Sequence, residues 1–130
     1  MPHKRTKSGT VEIGGKSYFY RSSWEPNIAA YFEFLKKQKQ ILDWEYEPVT
    51  FWFDKIKRGV RSYKPDFRIT TLDGSIYFVE VKGWMDAKSK TKLNRMRIYH
   101  PNIKVELIDK KRYYDIKKNS YLYPDWGKLE

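Results

Sequence analysis

The chain has 130 residues and no cysteine, so one domain with a single core is expected, and disulfides and thiolate-built zinc sites are excluded. Only His3 and His100 supply imidazole, too few for a multi-histidine metal centre. The 27 Lys and Arg against 16 Asp and Glu leave a net charge of +11, more than a small domain needs for solubility and an invitation to a polyanion partner.

No apolar run approaches the roughly 18–20 residues of a membrane span, and no apolar segment follows the basic N-terminus as in a signal peptide. An intracellular, cytoplasmic protein with no membrane partner is expected. The 5 Trp, 11 Tyr and 7 Phe argue against disorder. They suit nucleic-acid binding and equally the core of a small domain, so composition alone leaves open a basic globular protein with no nucleic-acid role.

Residues 1–10 read as a basic arm carrying Lys4, Arg5 and Lys7, with a single domain over 11–130. Val11-Glu12-Ile13 and Tyr18-Phe19-Tyr20 flank Gly14-Gly15 and predict a short hairpin. Trp24, Ile28, Tyr31, Phe32 and Leu35 fall on one helical stripe and predict a helix over 24–39, capped by Ser22 or Ser23. Trp44 to Glu47 alternates as a strand that Pro48 ends or confines to an edge. Residues 49–62 begin apolar (Val49, Phe51, Trp52, Phe53) and end basic (Lys55, Lys57, Arg58, Arg61). That is too apolar for a free loop, and packing against another subunit is one way to cover it. Tyr63–Thr70 and Ser75–Lys82 predict two strands joined through Asp73-Gly74. A second helix from Asp86 to Tyr99 carries the stripe Ser89, Leu93, Met96 and His100, with Lys88, Lys92 and Arg95 on a neighbouring face, and Pro101 stops it. A strand over 103–108, a short helix and a docked tail complete an α/β fold with a mixed sheet flanked by helices.

The chemistry-bearing positions are Asp66, Glu80 and Lys82. Glu80 and Lys82 are two apart on a strand and share a face, while Val79 and Val81 point the other way. Register decides whether Asp66 joins them. A two-residue Asp73-Gly74 loop sets Asp66 opposite Val81; a three-residue Leu72-Asp73-Gly74 loop sets it opposite Glu80, with Gly74 in the left-handed position that this loop class needs. The two Cβ atoms would then be about 4.5–5.5 Å apart. Carboxylates that close cannot both ionise without a cation, and a hard divalent ion, Mg²⁺ or Mn²⁺, answers that with oxygen ligands. Such an ion lowers the pKa of a bound water, and Lys82 could orient that water, which describes phosphodiester hydrolysis. The plain alternative is a solvated Asp66–Lys82 cross-strand ion pair. Glu25 sits at the edge of the first helix's apolar stripe and can look toward the sheet. A capping box with Ser22 is its structural alternative. Pro26 favours Ser23 as the cap, because a proline in the third helical position loses no hydrogen bond; that frees Glu25 to act as a third acid.

Arg21-Ser22-Ser23-Trp24-Glu25, Tyr46-Glu47-Pro48, Tyr63-Lys64-Pro65-Asp66-Phe67 and Phe78-Val79-Glu80-Val81-Lys82-Gly83 resemble, in order and spacing, the phage endonuclease I type of Holliday-junction resolvase, within the PD-(D/E)xK nuclease superfamily. The resemblance spans roughly Arg21 to Asp109 and implies a restriction-endonuclease-like fold. It implies that Asp66 and Glu80 bind the metal with the Val81 carbonyl, that Lys82 assists the attacking water, and that Glu25 completes the site near a second metal. It also implies an intertwined homodimer in which residues 49–62 cross between subunits and Glu25 of one chain joins Asp66, Glu80 and Lys82 of the other.

The expected function is thus a Mg²⁺-dependent endonuclease that resolves four-way DNA junctions, a two-fold dimer holding two sites against two strands. Lys88, Lys92 and Arg95, the arm Lys4-Arg5-Lys7, Arg21, and Lys110-Lys111-Arg112 would contact phosphates, which position DNA without reading its sequence. The rival expectations are another nuclease of the same superfamily, of restriction or transposon-end type, and a basic nucleic-acid-binding module without catalysis.

Overall fold

Gly14 and Gly15 both adopt left-handed backbone (φ 59° and 80°), the pair of conformations that a two-residue hairpin turn requires. They join β1 (Gly9–Ile13) to β2 (Lys16–Tyr20), with Ile13 opposite Lys16. The structure is a computed structural model that describes residues 7–130. Lys4 and Arg5 of the expected arm lie outside the described residues, and Lys7 is exposed. The arm is shorter than residues 1–10, because Gly9 and Thr10 already pair with Tyr20 and Phe19.

Helix α1 (Trp24–Lys37) has Ser23 as its N-cap, which puts Pro26 in the third helical position, where no donor is missed. The expected stripe faces inward: Ile28 and Phe32 are buried, and Trp24, Tyr31 and Leu35 pack against them. The stripe is wider than hydrophobicity predicts, since Asn27 and Glu33 are buried too. Each is satisfied. Asn27 accepts from the Gly127 amide (2.8 Å) and donates to the Tyr113 hydroxyl (3.0 Å) and to Glu130 (3.1 Å), and Glu33 accepts from the Trp44 indole N–H (2.8 Å).

The chain continues through β3 (Asp43–Tyr46), β4 (Phe51–Trp52), β5 (Ser62–Tyr63), β6 (Phe67–Thr70), β7 (Ile76–Val81), α2 (Ala87–Tyr99), β8 (Val105–Ile108) and α3 (Lys110–Lys117). A four-stranded sheet has the order β3-β6-β7-β8. Its first two pairings are antiparallel and β7–β8 is parallel, so the sheet is mixed and β3 lies at an edge, as Pro48 requires. Alternation sends Trp44, Tyr46, Phe67, Ile69, Val79 and Val81 to one face, into the main core with α1, the β1–β2 hairpin and α3. Glu45, Arg68, Phe78 and Glu80 take the other face. There Phe53, Tyr63 and Met96 form a second small core with Phe51, Leu93 and Val105.

One expectation about the middle of the chain changes. The strand expected over 63–70 is broken at Lys64-Pro65, because Pro65 has no N–H for a ladder and restrains the residue before it. Within the one chain, residues 51–63 form a hairpin. Phe51 pairs with Tyr63 and Trp52 with Ser62, and Phe51, Phe53 and Tyr63 pack with Leu93 and Met96 of α2. Arg95, expected on a DNA face, is engaged here by donating to the Val60 carbonyl, and His100 meets the Trp52 carbonyl at 2.9 Å.

Helix α2 starts where its cap predicts: Asp86 accepts from the Ser89 amide at 2.7 Å. Beyond α3, Tyr123 and Trp126 pack as tilted rings in a cluster with Tyr113, so the expected docked tail is present. No helix among the described residues is long and apolar enough to cross a membrane.

Candidate active site

The turn between β6 and β7 holds three residues. Thr71 pairs with Ser75 through an amide-to-carbonyl bond of 2.8 Å, and Gly74 has φ 89°. The register then pairs Phe67 with Val79, and one step further it sets Asp66 opposite Glu80, on the face turned away from the main core. In that register Pro65 faces Val81. Having no N–H, Pro65 leaves the Val81 carbonyl without its ladder donor, and the Val81 amide turns instead to the Asp66 carboxylate (2.7 Å). The proline of the motif therefore ends the ladder and seats the aspartate in one step.

The acids converge on one cleft within a single chain. Asp66, Glu80, Val81 and Lys82 line it from the sheet, Glu25 from the first turn of α1, and Glu47 from the residue after β3. Tyrosine hydroxyls orient two of these acids: Tyr63 donates to Glu80 at 2.7 Å and Tyr46 to Glu25 at 2.6 Å. Glu25 also accepts from the Arg21 amide at 3.1 Å. It thus caps the chain one residue before the Ser22 amide that a capping box would use, and it serves helix and cleft together.

The electrostatics are those of crowded carboxylates. Burial pushes the Asp66 carboxyl well above the usual range, and the negative charges of Glu80 and Glu25 push it further. Burial also raises Glu80, against the Tyr63 hydroxyl and the positive charges of Lys82 and Lys92, which lower it. Glu25 is raised by burial and opposed first by its bond from Tyr46. Both tyrosines are in turn raised by burial and by the carboxylate each one serves. The plain alternative for Asp66, an ion pair with Lys82, does not form: Lys82 is in none of the ion pairs among the described residues.

The acidic donors of the cleft are all oxygen, a set that would suit Mg²⁺ or Mn²⁺ better than a softer metal. As placed, no three His, Asp or Glu side chains among the described residues surround one point, and an oxygen of each of Asp66, Glu80 and Glu25 is turned to its own hydrogen-bond donor.

Of the cations expected to meet phosphate, Lys92 lines the cleft itself, and Lys88 and Arg112 are exposed. Lys110 lies at a neighbouring depression with Trp24, Gly83, Trp84 and Tyr114. Others are engaged at home: Arg21 pairs with Glu47, Lys111 with Asp115 at 3.1 Å, and Arg95 with the hairpin carbonyl. Sequence reasoning missed Glu47 and Lys64 as cleft residues, and Tyr46 and Tyr63 as orienting groups. Glu47 has left-handed backbone (φ 46°), and its amide donates to the Asp66 carbonyl at 2.7 Å. A strand alternation cannot reveal that kink, although Pro48 was a cue that the strand ends there.

Tyr63→Phe tests the orienting role. Loss of the bond that lowers the Glu80 pKa should weaken divalent-ion affinity about 10-fold or more, the scale of partners that hold a ligand in place, as read by calorimetric titration with Mn²⁺.

Comparison of the chain with protein-family models, with curated proteins and with solved structures returns no match.

Proposed function

We propose that the protein is a divalent-metal-dependent endonuclease that resolves four-way DNA junctions by phosphodiester hydrolysis. The observation that carries the reading is the arrangement of Asp66 opposite Glu80, with Lys82 two residues on and Glu25 from α1, in one cleft of a strongly basic chain. The motif resemblance adds the substrate class. Asp66, Glu80 and the Val81 carbonyl would hold the ion, with Glu25 beside a second. When bound, Mg²⁺ supplies a water of lowered pKa and neutralises charge on the phosphate. Lys82, unpaired with any acid, is placed to orient that water and to meet developing negative charge. Tyr63 and Tyr46 hold the acids in position. Lys92 and Lys64 on the cleft wall attract the backbone on either side. The expected partner copy supplies the two-fold symmetry for two strands.

A second reading is a nuclease of the same superfamily that cuts linear duplex. It is favoured by the acids of one chain lining one cleft. Incubation with a labelled four-way junction and a matched duplex, with Mg²⁺ and with EDTA, separates the two. Preferential, Mg²⁺-dependent cutting of the junction is expected. Equal cutting of both supports the second reading, and tight binding without cutting in Mg²⁺ or Mn²⁺ removes the nuclease assignment.

A further inference from the structure

Trp84 is 76% exposed. A single exposed apolar side chain needs no explanation, but the position of this one does. It stands two residues beyond Lys82, on the ridge between two depressions. One is lined by Trp84 with Ser22, Glu25 and Lys82, and the other by Trp84 with Trp24, Lys110 and Tyr114.

The neighbouring packing sends Trp84 outward. A Cβ at Gly83 would stand 2.9 Å from the Trp24 ring. That ring is stacked on Tyr113, with centroids 3.9 Å apart and planes 5° from parallel, and Tyr114 meets it edge-on at 5.8 Å. Held on two sides, Trp24 cannot retreat, so the chain at Gly83 runs against a rigid aromatic wall with no room behind it for another indole. The result is an aromatic surface beside the acids, made of Trp84, the rim of Trp24 and Tyr114, with an ammonium group on either side from Lys82 and Lys110.

A flat π-face between two cations suits a planar aromatic group that carries phosphates on both sides. A nucleotide offers this only when its base has left the stack, because a paired duplex buries its base faces and shows only edges and backbone. We propose that Trp84 receives an unstacked nucleobase next to the phosphate to be cut, with Lys110 on the adjoining backbone, so that the site selects DNA whose stacking is interrupted. The proposal rests on the nuclease reading and gives it a means of choosing branched over continuous DNA.

The test places Trp84→Ala and Trp84→Phe in an Asp66→Asn background, so that binding is read without cutting. The probes are a four-way junction with 2-aminopurine at its branch nucleotides and an uninterrupted duplex of the same sequence. With Trp84 intact, binding should quench the 2-aminopurine. Trp84→Ala should remove the quench and weaken junction binding about 5- to 100-fold, the scale of one base stacked on an aromatic ring, while duplex affinity changes less than about twofold. Trp84→Phe, which keeps a ring, should restore most of both. Unchanged junction affinity and quench in Trp84→Ala, or equal losses on junction and duplex, would overturn the proposal. Failure of the nuclease reading looks different: the unaltered protein would leave every DNA uncut in Mg²⁺ and in Mn²⁺.

Discussion

Asp66→Asn should reduce junction cleavage about a thousandfold or more and leave the protein more stable at neutral pH than the unaltered chain. The first effect follows from losing an acid that would hold the ion, which supplies several kcal/mol to a phosphoryl transition state. The second follows from burial. The Asp66 carboxyl is held well above its ordinary pKa by burial and by Glu80 and Glu25, whereas in the unfolded chain it titrates near 4. Between those two values the folded state keeps a proton that the unfolded state gives up. Stability therefore falls as pH rises through the window, and the penalty is complete above the folded pKa. The amide never ionises and escapes it. Thermal melts of the two proteins should accordingly differ by a few degrees at pH 8, with the variant higher, and converge as pH falls toward 4. Adding Mg²⁺ at pH 8 should close the gap by raising the unaltered protein alone, as binding to the native state does. A difference independent of pH, or a Mg²⁺ shift in both proteins, would show that Asp66 is not the strained acid of a cation site.

Mixing Glu25→Ala chains with Asp66→Asn chains during refolding should restore no activity. Glu25 and Asp66 line the cleft of the same chain, so each chain in a mixed assembly carries one damaged site. If residues 49–62 crossed between subunits and each site took Glu25 from the partner, a mixed dimer would hold one intact and one doubly damaged site. Up to about a quarter of the normal rate would then reappear, because half of randomly paired chains are heterodimers and each has one of two sites whole. Nicking of one strand measures this directly, with mass spectrometry of the refolded mixture establishing that heterodimers are present.

The parts of the site that could be read beforehand are those fixed by parity and by missing donors. Gly74 suits either loop, and parity says that only the three-residue one, which the structure adopts, brings Asp66 opposite Glu80. Pro26 selects Ser23 as the cap, and that choice turns Glu25 away from a simple capping role. Both inferences rest on local backbone chemistry, which narrows the choices from a linear sequence to a few. What could not be read depends on contacts distant along the chain. The hairpin of residues 49–63 closes because Phe53, Tyr63 and Met96 share a small core and because Arg95 reaches the Val60 carbonyl, and neither pairing has a local signature. An apolar stretch followed by basic residues does not name what covers it, and α2 supplies that cover within this chain. Glu47 was hidden for a related reason: it reaches the cleft only through a kink in the backbone whose ordinary continuation would have been another strand residue.

The buried Asn27 ties the first helix to residues that are made about a hundred positions later. Its amide group is filled by Tyr113, Gly127 and Glu130, so the buried side of α1 has its polar partners only once those later residues have docked. Glu25, two positions before Asn27, is held by Tyr46 and the Arg21 amide, so the seat of the cleft acid and the anchor of the tail share one turn of α1. Loosening of residues 113–130 would therefore leave a buried amide unsatisfied within one turn of the cleft, which couples the order of the tail to the helix that carries Glu25.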